Sequence, residues 1–377
     1  MSIPHELFSF YLKKGLSEIT MSPKFCIGVS MVFLTKRLVV RKPKLSDADI
    51  NLYHRLWNSP SVMRNVGFPK GLRISKDSIQ DLIIGQSDTP FDKSLLVLLR
   101  DTGQAIGECK LGLPNSSGIS ITDVKLLPEY WNKGYGKEIK NALCGYLFSQ
   151  TACTTVEASP NLNNIGSIKM QEACAGTMVR QEVYHFPSHM SSYTQDVDSL
   201  IFHIHKSDWL ARFGNDETIV SIPHIQLIQD AEQKQQICAD ILATLPQWFG
   251  IPEATREYIK GVVSSDFYTL SLDMQPIGFC AMKQDFTHVA EIYVCGIHPA
   301  YHRLGLGTKL LSYIEKQLMQ QKVKYLTVKT LSSRHPSKEY AATREFYLTC
   351  GFEPFEEFLD LWGKANPCLQ MIKRLIW

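Results

Sequence analysis

Two short stretches carry residues whose types and spacing suit the holding of an anion. "LPEYWNKGYGKEIKNAL" contains Pro128, Tyr130, Gly134 and Gly136; "HPAYHRLGLGTKLL" contains Pro299, Tyr301, Gly305 and Gly307. Each of the four residues recurs 171 positions later. A Gly-x-Gly corner between a strand and a helix lets the backbone approach a ligand closely and adopt positive φ. The first N–H groups of the helix have no partner inside it, and they sit at the positive end of its dipole. Together they make a seat for phosphate. A turn that only relieves a steric problem would account for one such corner; repetition in the same context favours binding. Neither corner has the glycine-lysine loop of P-loop nucleotide enzymes or the three-glycine dinucleotide fingerprint.

The elements around these corners also repeat. "TKRLVVRKP" (35–43) reads as a strand, and "LSDADINLYHRLW" as a capped helix with Ile50, Tyr53, Leu56 and Trp57 at helical spacing. "SLLVLLRDTGQAIGECKLGL" reads as a hairpin, followed by a strand (118–127), the first glycine corner and a helix with Ile139, Leu143, Tyr146 and Leu147 on one face. "TTVEAS" is a strand, "NIGSIKMQEAC" a helix and "DSLIFHIHKSDWL" a closing strand. The polar stretch "RFGNDETIVS" then reads as a linker, and the order begins again from "IPHIQLIQD". Two copies of a mixed α/β domain follow from this alternation, because the period is far too long for a solenoid. The expected boundaries are an extension (1–32), a first domain (33–213), a linker (214–220) and a second domain (221–377).

Length and composition agree. The 377 residues suit two domains, each long enough to bury a core. A net charge of +3 is too weak to argue for nucleic acid. The ten cysteines form no C-x-x-C pair, so they read as reduced thiols of a cytoplasmic protein rather than a disulfide frame or a metal site. No apolar run reaches the ~18 residues of a membrane span. "FCIGVSMVFL" lacks a cleavage site and runs into a strand pattern, which argues against a signal peptide.

"HRLGLG" and "WNKGYG" resemble the pyrophosphate loop of the GNAT superfamily of N-acetyltransferases, in which Arg or Gln is followed three positions later by Gly-x-Gly or Gly-x-Ala. His302 and Trp131 depart from the first position. The resemblance covers about 33–213 and 221–377. "RLVVRKPKLSDA", "IGECKLG" and "NIGSIKMQEACAG" are similar to the branch that includes ribosomal-protein N-acetyltransferases. "LPQWFGIPEATREYI", "AEIYVCGIHPAYHRLGLGTKLL" and "AATREFYLTCGF" are similar to a bacterial group with aminoglycoside-acetylating members. The implied fold is two GNAT domains, each a mixed, mostly antiparallel twisted sheet flanked by helices. The implied activity is transfer of acetyl from acetyl-CoA to a primary amine of a small molecule or peptide, mainly in the second domain. The rival reading is a non-catalytic acyl-CoA sensor or scaffold, and a homodimer is compatible with either.

The resemblance also assigns roles. Trp131, Asn132, Lys133, Gly134, Tyr135, Gly136 and Lys137 would hold the pyrophosphate in the first copy. His302, Arg303, Gly305, Leu306, Gly307 and Thr308 would do so in the second. A bulge in the preceding strand should free a backbone N–H for the thioester carbonyl, at Gly296 and Ile297 in one copy and at Lys125 and Leu126 in the other. Tyr347 falls where the family places the acid that protonates the leaving thiolate; a core tyrosine is the plainer reading. The first copy offers Gln171 there, with Thr177 after Gly176 where relatives have Phe, but it keeps Asn164 for cofactor contact and Ser167 beside the thiolate. Tyr340 replaces the matching asparagine in the second copy. Glu291 is the expected base, acting through water. Ser120 stands at its offset, with Asp123 and Glu157 nearby. The acidic run "FEEFLD" (355–360) reads as a solvated edge or as an attractor for a polycation.

Overall fold

The computed structural model describes residues 31–85, 89–214, 216 and 219–375. They form two compact units, Val32–Ile222 and, with Met31, the residues from Pro223 onward. The first 30 residues of the expected extension lie outside the described residues.

The first unit holds strands β1 (Met31–Leu34), β2 (Leu38–Arg41), β3 (Ser94–Leu99), β4 (Ala105–Leu111), β5 (Ile119–Leu126), β6 (Thr155–Ala158), β7 (Thr177–Tyr184) and β8 (Val197–His205). Their spatial order is β1-β2-β3-β4-β5-β6-β8-β7. Its helices are α1 (Asp47–Trp57), α2 (Pro60–Met63), α3 (Lys76–Ile84), α4 (Tyr135–Gln150), α5 (Ile165–Ala173) and α6 (Lys206–Phe213). Helix α1 starts where Ser46 accepts a hydrogen bond from the Asp49 N–H, and it buries Ile50, Leu52, Tyr53 and Leu56. Helix α4 lays Ile139, Leu143 and Leu147 into a core with Val40, Val97, Ile106 and Val156.

The second unit holds β9 (His224–Ile228), β10 (Asp266–Leu272), β11 (Gln275–Phe286), β12 (Val289–Ile297), β13 (Tyr325–Leu331), β14 (Glu353–Phe358) and β15 (Cys368–Arg374). Their order is β14-β15-β13-β12-β11-β10-β9. Helices α7 (Ala231–Ala243), α8 (Pro252–Gly261), α9 (Leu306–Gln320) and α10 (Lys338–Thr349) flank it. Ile237, Cys238, Ile241 and Leu242 of α7 pack on Phe267, Phe279 and Val294 of the sheet.

Each sheet contains one parallel joint. Strand β5 pairs with β6 from Ile119↔Thr155 to Ile121↔Glu157 and then leaves it. Strand β12 pairs with β13 from Val289↔Tyr325 to Ile292↔Val328 and then leaves it. Beyond these points, residues 122–126 pair with β4 alone and residues 293–297 lie along β11 alone. Each sheet therefore splits and exposes one strand edge with unspent backbone hydrogen-bonding groups.

Some expectations are corrected. The expected strand from Asp198 ends at His205; the chain turns into α6 because Trp209 is buried against Phe148 and Phe213. The expected linker is partly core: Ile219 and Val220 pack on the first unit, and Ser221 exchanges backbone hydrogen bonds with Leu34. The first four residues of the acidic run, Phe355 to Phe358, lie on β14, an edge strand whose residues are mostly exposed, as the solvated reading has it.

Candidate active site

The two glycine corners have the same backbone. Gly134 and Gly305 both sit at φ 79°, and Asn132 and Arg303 precede them at φ 58° and 62°. Left-handed backbone is cheap for glycine and costly for arginine, so its retention at both second positions marks a required loop shape. No side chain caps α4 or α9, and their first N–H groups are left for another acceptor. The departing first residues do equivalent work: Trp131 Nε1 donates to the Leu126 carbonyl at 2.8 Å, and His302 Nε2 lies 2.6 Å from the Ile297 carbonyl. Both hold the loop against the end of its strand. In the first unit Arg37 adds a bond to the Lys133 carbonyl (3.1 Å) and an ion pair with Glu138 (2.6 Å).

The second glycines admit the next helix. A Cβ on Gly136 would stand 3.1 Å from the Met170 sulfur, and one on Gly307 would stand 3.3 Å from the Phe346 ring. Met170 and Phe346 therefore occupy the same place, and so do the residues after them, Gln171 and Tyr347. Downstream, Gly176 N–H bonds the Gln171 carbonyl (2.9 Å) as Phe352 N–H bonds that of Tyr347 (3.0 Å). Ala175 (φ 65°) thus stands where Gly351 (φ 85°) stands. This corrects the matching of Thr177 to the family's Phe; Gly176 takes that place.

In the second unit Tyr347 is buried, and its hydroxyl lies 3.4 Å from Cys295 Sγ on β12. Phe346 and Phe352 pack on its ring edge-on. Burial and then the Cys295 thiol push the phenol well above its ordinary pKa, so it stays protonated. Cys280, directly opposite on β11, pulls Cys295 below its ordinary value. Strand β12 carries a bulge: Ala281 faces Val294 and Met282 faces Ile292, leaving Tyr293 as the extra residue. The bulge is thus not at Gly296 and Ile297, which pair regularly with Phe279 and Gly278. Gly296 is needed instead for packing, since a Cβ there would meet Leu245 at 2.8 Å. Glu291 is bound to Lys329 at 2.6 Å through Oε2. Tyr340, in the place of the family's asparagine, donates to the Trp248 carbonyl at 2.8 Å.

The first unit differs at the matching places. Strand β5 pairs with β4 without a bulge from Leu126 to Thr122. Asn164 caps α5 by accepting from the Ser167 N–H at 3.2 Å, and Ser167 is half-buried. Ser120 is buried and bonds the Gly112 carbonyl at 2.7 Å. Asp123 is paired with Lys125, and Glu157 lies 3.0 Å from His203. Lys125 also meets the buried Glu108 at 3.2 Å. Lys140, Cys295 and Lys329 escaped the reading of the sequence. The signal for Lys140 was present: it lies in the apolar stripe with Leu143, Cys144 and Leu147, and its counterpart 171 residues on is Leu311.

Comparison with known proteins identifies the family. Residues 37–176 match the model of an acetyltransferase (GNAT) domain, and residues 236–352 match that of the acetyltransferase (GNAT) family. An uncharacterized N-acetyltransferase, p20, of Bacillus licheniformis is 27% identical over 142 residues, which is 36% of this chain and 76% of that protein. A GNAT acetyltransferase structure from Bacillus anthracis is 18% identical and covers 47% of this chain and 99% of its own, with a TM-score of 0.40. Spermidine N-acetyltransferase from Vibrio cholerae, solved with CoA and spermine, is 19% identical over 46% of this chain and 98% of its own, with a TM-score of 0.38. The chain belongs to the GNAT family of acetyltransferases and carries two of its domains.

Proposed function

We propose that the second unit transfers acetyl from acetyl-CoA to a primary amine. The observation that carries this reading is the buried Tyr347 hydroxyl set against a sulfur on the open edge of β12. The uncapped N–H groups at the start of α9 would seat the pyrophosphate. The amides of the pantetheine arm would pair with the β12 edge beyond Ile292, in the manner of an added strand. A backbone N–H at the Tyr293 bulge would stabilise the oxyanion, usually the largest single catalytic contribution.

The chemistry then balances. The amine nitrogen attacks the thioester carbon, the C–N bond forms and the C–S bond breaks. Tyr347 gives its proton to the departing sulfur. The proton shed by nitrogen passes through water to Glu291, whose Oε2 is held by Lys329 while Oε1 can accept. The first unit, with neither bulge nor phenol, binds CoA on Gly134 and its neighbours.

The test is release of CoA thiol by the full chain from acetyl-CoA with polyamines, aminoglycosides, amino acids and N-terminal peptides. At least one amine should yield an acetylated product by mass. CoA binding without turnover of any amine class would replace this reading with that of a sensor.

A further inference from the structure

The first unit buries a lysine whose hydrogen-bond partner carries no charge. Lys140 is 1% exposed on α4, and its Nζ donates to a neutral acceptor, Thr122 Oγ1, at 2.5 Å. An ammonium taken out of water with so little compensation is costly. Burial pulls its pKa down, opposed by Cys144 on α4, Cys174 at the end of α5 and Asp123 on β5. Asp123 is itself held by Lys125, while Lys137 and Arg212 approach Cys174. Gln171, 2% exposed on α5, presents an Oε1 with no partner. Cys174 ties the two helices together: its Sγ lies 3.8 Å from the Lys137 carbonyl on α4, and its N–H donates to the Gln171 carbonyl at 3.0 Å. Thr122 is the first residue of β5 beyond its last pair with β6, so the cluster lies where the sheet splits. In the second unit the corresponding residues are Leu311 and Tyr347.

We propose that this cluster seats the sulfur of CoA in the first unit, with Lys140 exchanging a proton with it as Tyr347 does in the second. The inference rests on the first loop binding CoA. In transfer, the C–S bond breaks and the thiolate takes a proton from the Lys140 ammonium; the proton shed by the acceptor amine recharges Nζ. With CoA alone, the thiol releases its proton to solvent beside the Lys140 ammonium, and the same ammonium–thiolate pair results. Gln171 Oε1, buried without a partner, would accept the S–H of the bound thiol. The first unit is then a second transferase with a different acid.

The experiment uses the full chain carrying Gly305→Glu, which closes the second loop and leaves CoA to the first. Calorimetry compares CoA with dethio-CoA, in which hydrogen replaces the thiol. CoA should bind about 10-fold more tightly, as a charge-assisted contact implies, and Lys140→Leu should erase the difference. Independently of any lysine substitution, the ultraviolet absorbance of the thiolate should show bound CoA titrating below the ~8.5 of an ordinary thiol. Equal binding of the two ligands, a preference that survives Lys140→Leu, or a bound thiol titrating at or above the free value would each overturn the proposal. Absence of any CoA binding in the Gly305→Glu chain would instead overturn the reading of the first loop, and this one with it.

Discussion

Tyr347→Phe removes one oxygen and keeps the ring. In the structure that oxygen meets a single sulfur, Cys295 Sγ at 3.4 Å, while Phe346 and Phe352 hold the ring at centroid distances of 5.2 and 5.3 Å. The stability cost should therefore stay near that of one neutral hydrogen bond, about 1 kcal/mol, or a Tm shift of about 2–4 °C for a unit of this size. Loss of a general acid costs ~10²- to 10⁴-fold in rate, equivalent to about 3–5 kcal/mol of barrier. The two effects differ enough to be separated. Steady-state release of CoA thiol gives kcat, calorimetry gives CoA affinity, and a thermal melt gives stability. The expected result is a kcat lower by at least ~10²-fold with affinity and Tm nearly unchanged. A melt displaced by more than 10 °C would make Tyr347 a core residue (well beyond the ~2–4 °C above). An unchanged kcat would refute the assignment of the acid.

Glu291→Gln should slow turnover mainly below the pKa of the acceptor amine, because at higher pH the amine is already free; a pH–rate profile identical to the parent's would remove Glu291 from the mechanism. Gly134→Val and Gly305→Val each force a branched residue into left-handed backbone that already costs an ordinary residue ~1–2 kcal/mol, and each should abolish CoA binding in its own unit only, as read from calorimetric stoichiometry. Lys140 has its folded pKa below its unfolded one, so the unfolded chain binds more protons between those values and stability rises with pH across that window, which ends near 10.5. Lys140→Leu should raise the Tm of the first unit at neutral pH and flatten this slope in melts recorded from pH 7 to 10; a slope unchanged by the substitution would show that Lys140 titrates normally.

The corners were legible because glycine at a strand–helix junction is forced by local backbone geometry, and the repeat offset doubled the signal. Tyr347 stands out only through the family resemblance; the structure adds that it is buried four residues before the left-handed Gly351. The bulge was not legible, because register is set by β11 pairing with β12, a contact between segments that local patterning does not specify. The tie of Glu291 to Lys329 arises for a like reason, from two strands joined across α9. Strand β7 escaped notice since seven of its eight residues are exposed and show no alternation. Lys140 was passed over because one charged residue in an apolar helix face reads as tolerance, and only its fixed bond to Thr122 shows it is trapped.

The short parallel joint in each sheet has a consequence for assembly. Strands β2 to β5 and β9 to β12 include neighbours joined by tight hairpins, contacts that cost little loop entropy. The joint between β5 and β6 waits for α4 to form and fold back, as that between β12 and β13 waits for α9. Chain order therefore makes the joint a late seam, held by three backbone pairs in one sheet and four in the other. A ligand lying along the split edge bridges that seam and stabilises the folded form by mass action, about 2.7 kcal/mol at a hundredfold excess over Kd. A ligand seated there would then lengthen the time a unit survives a protease.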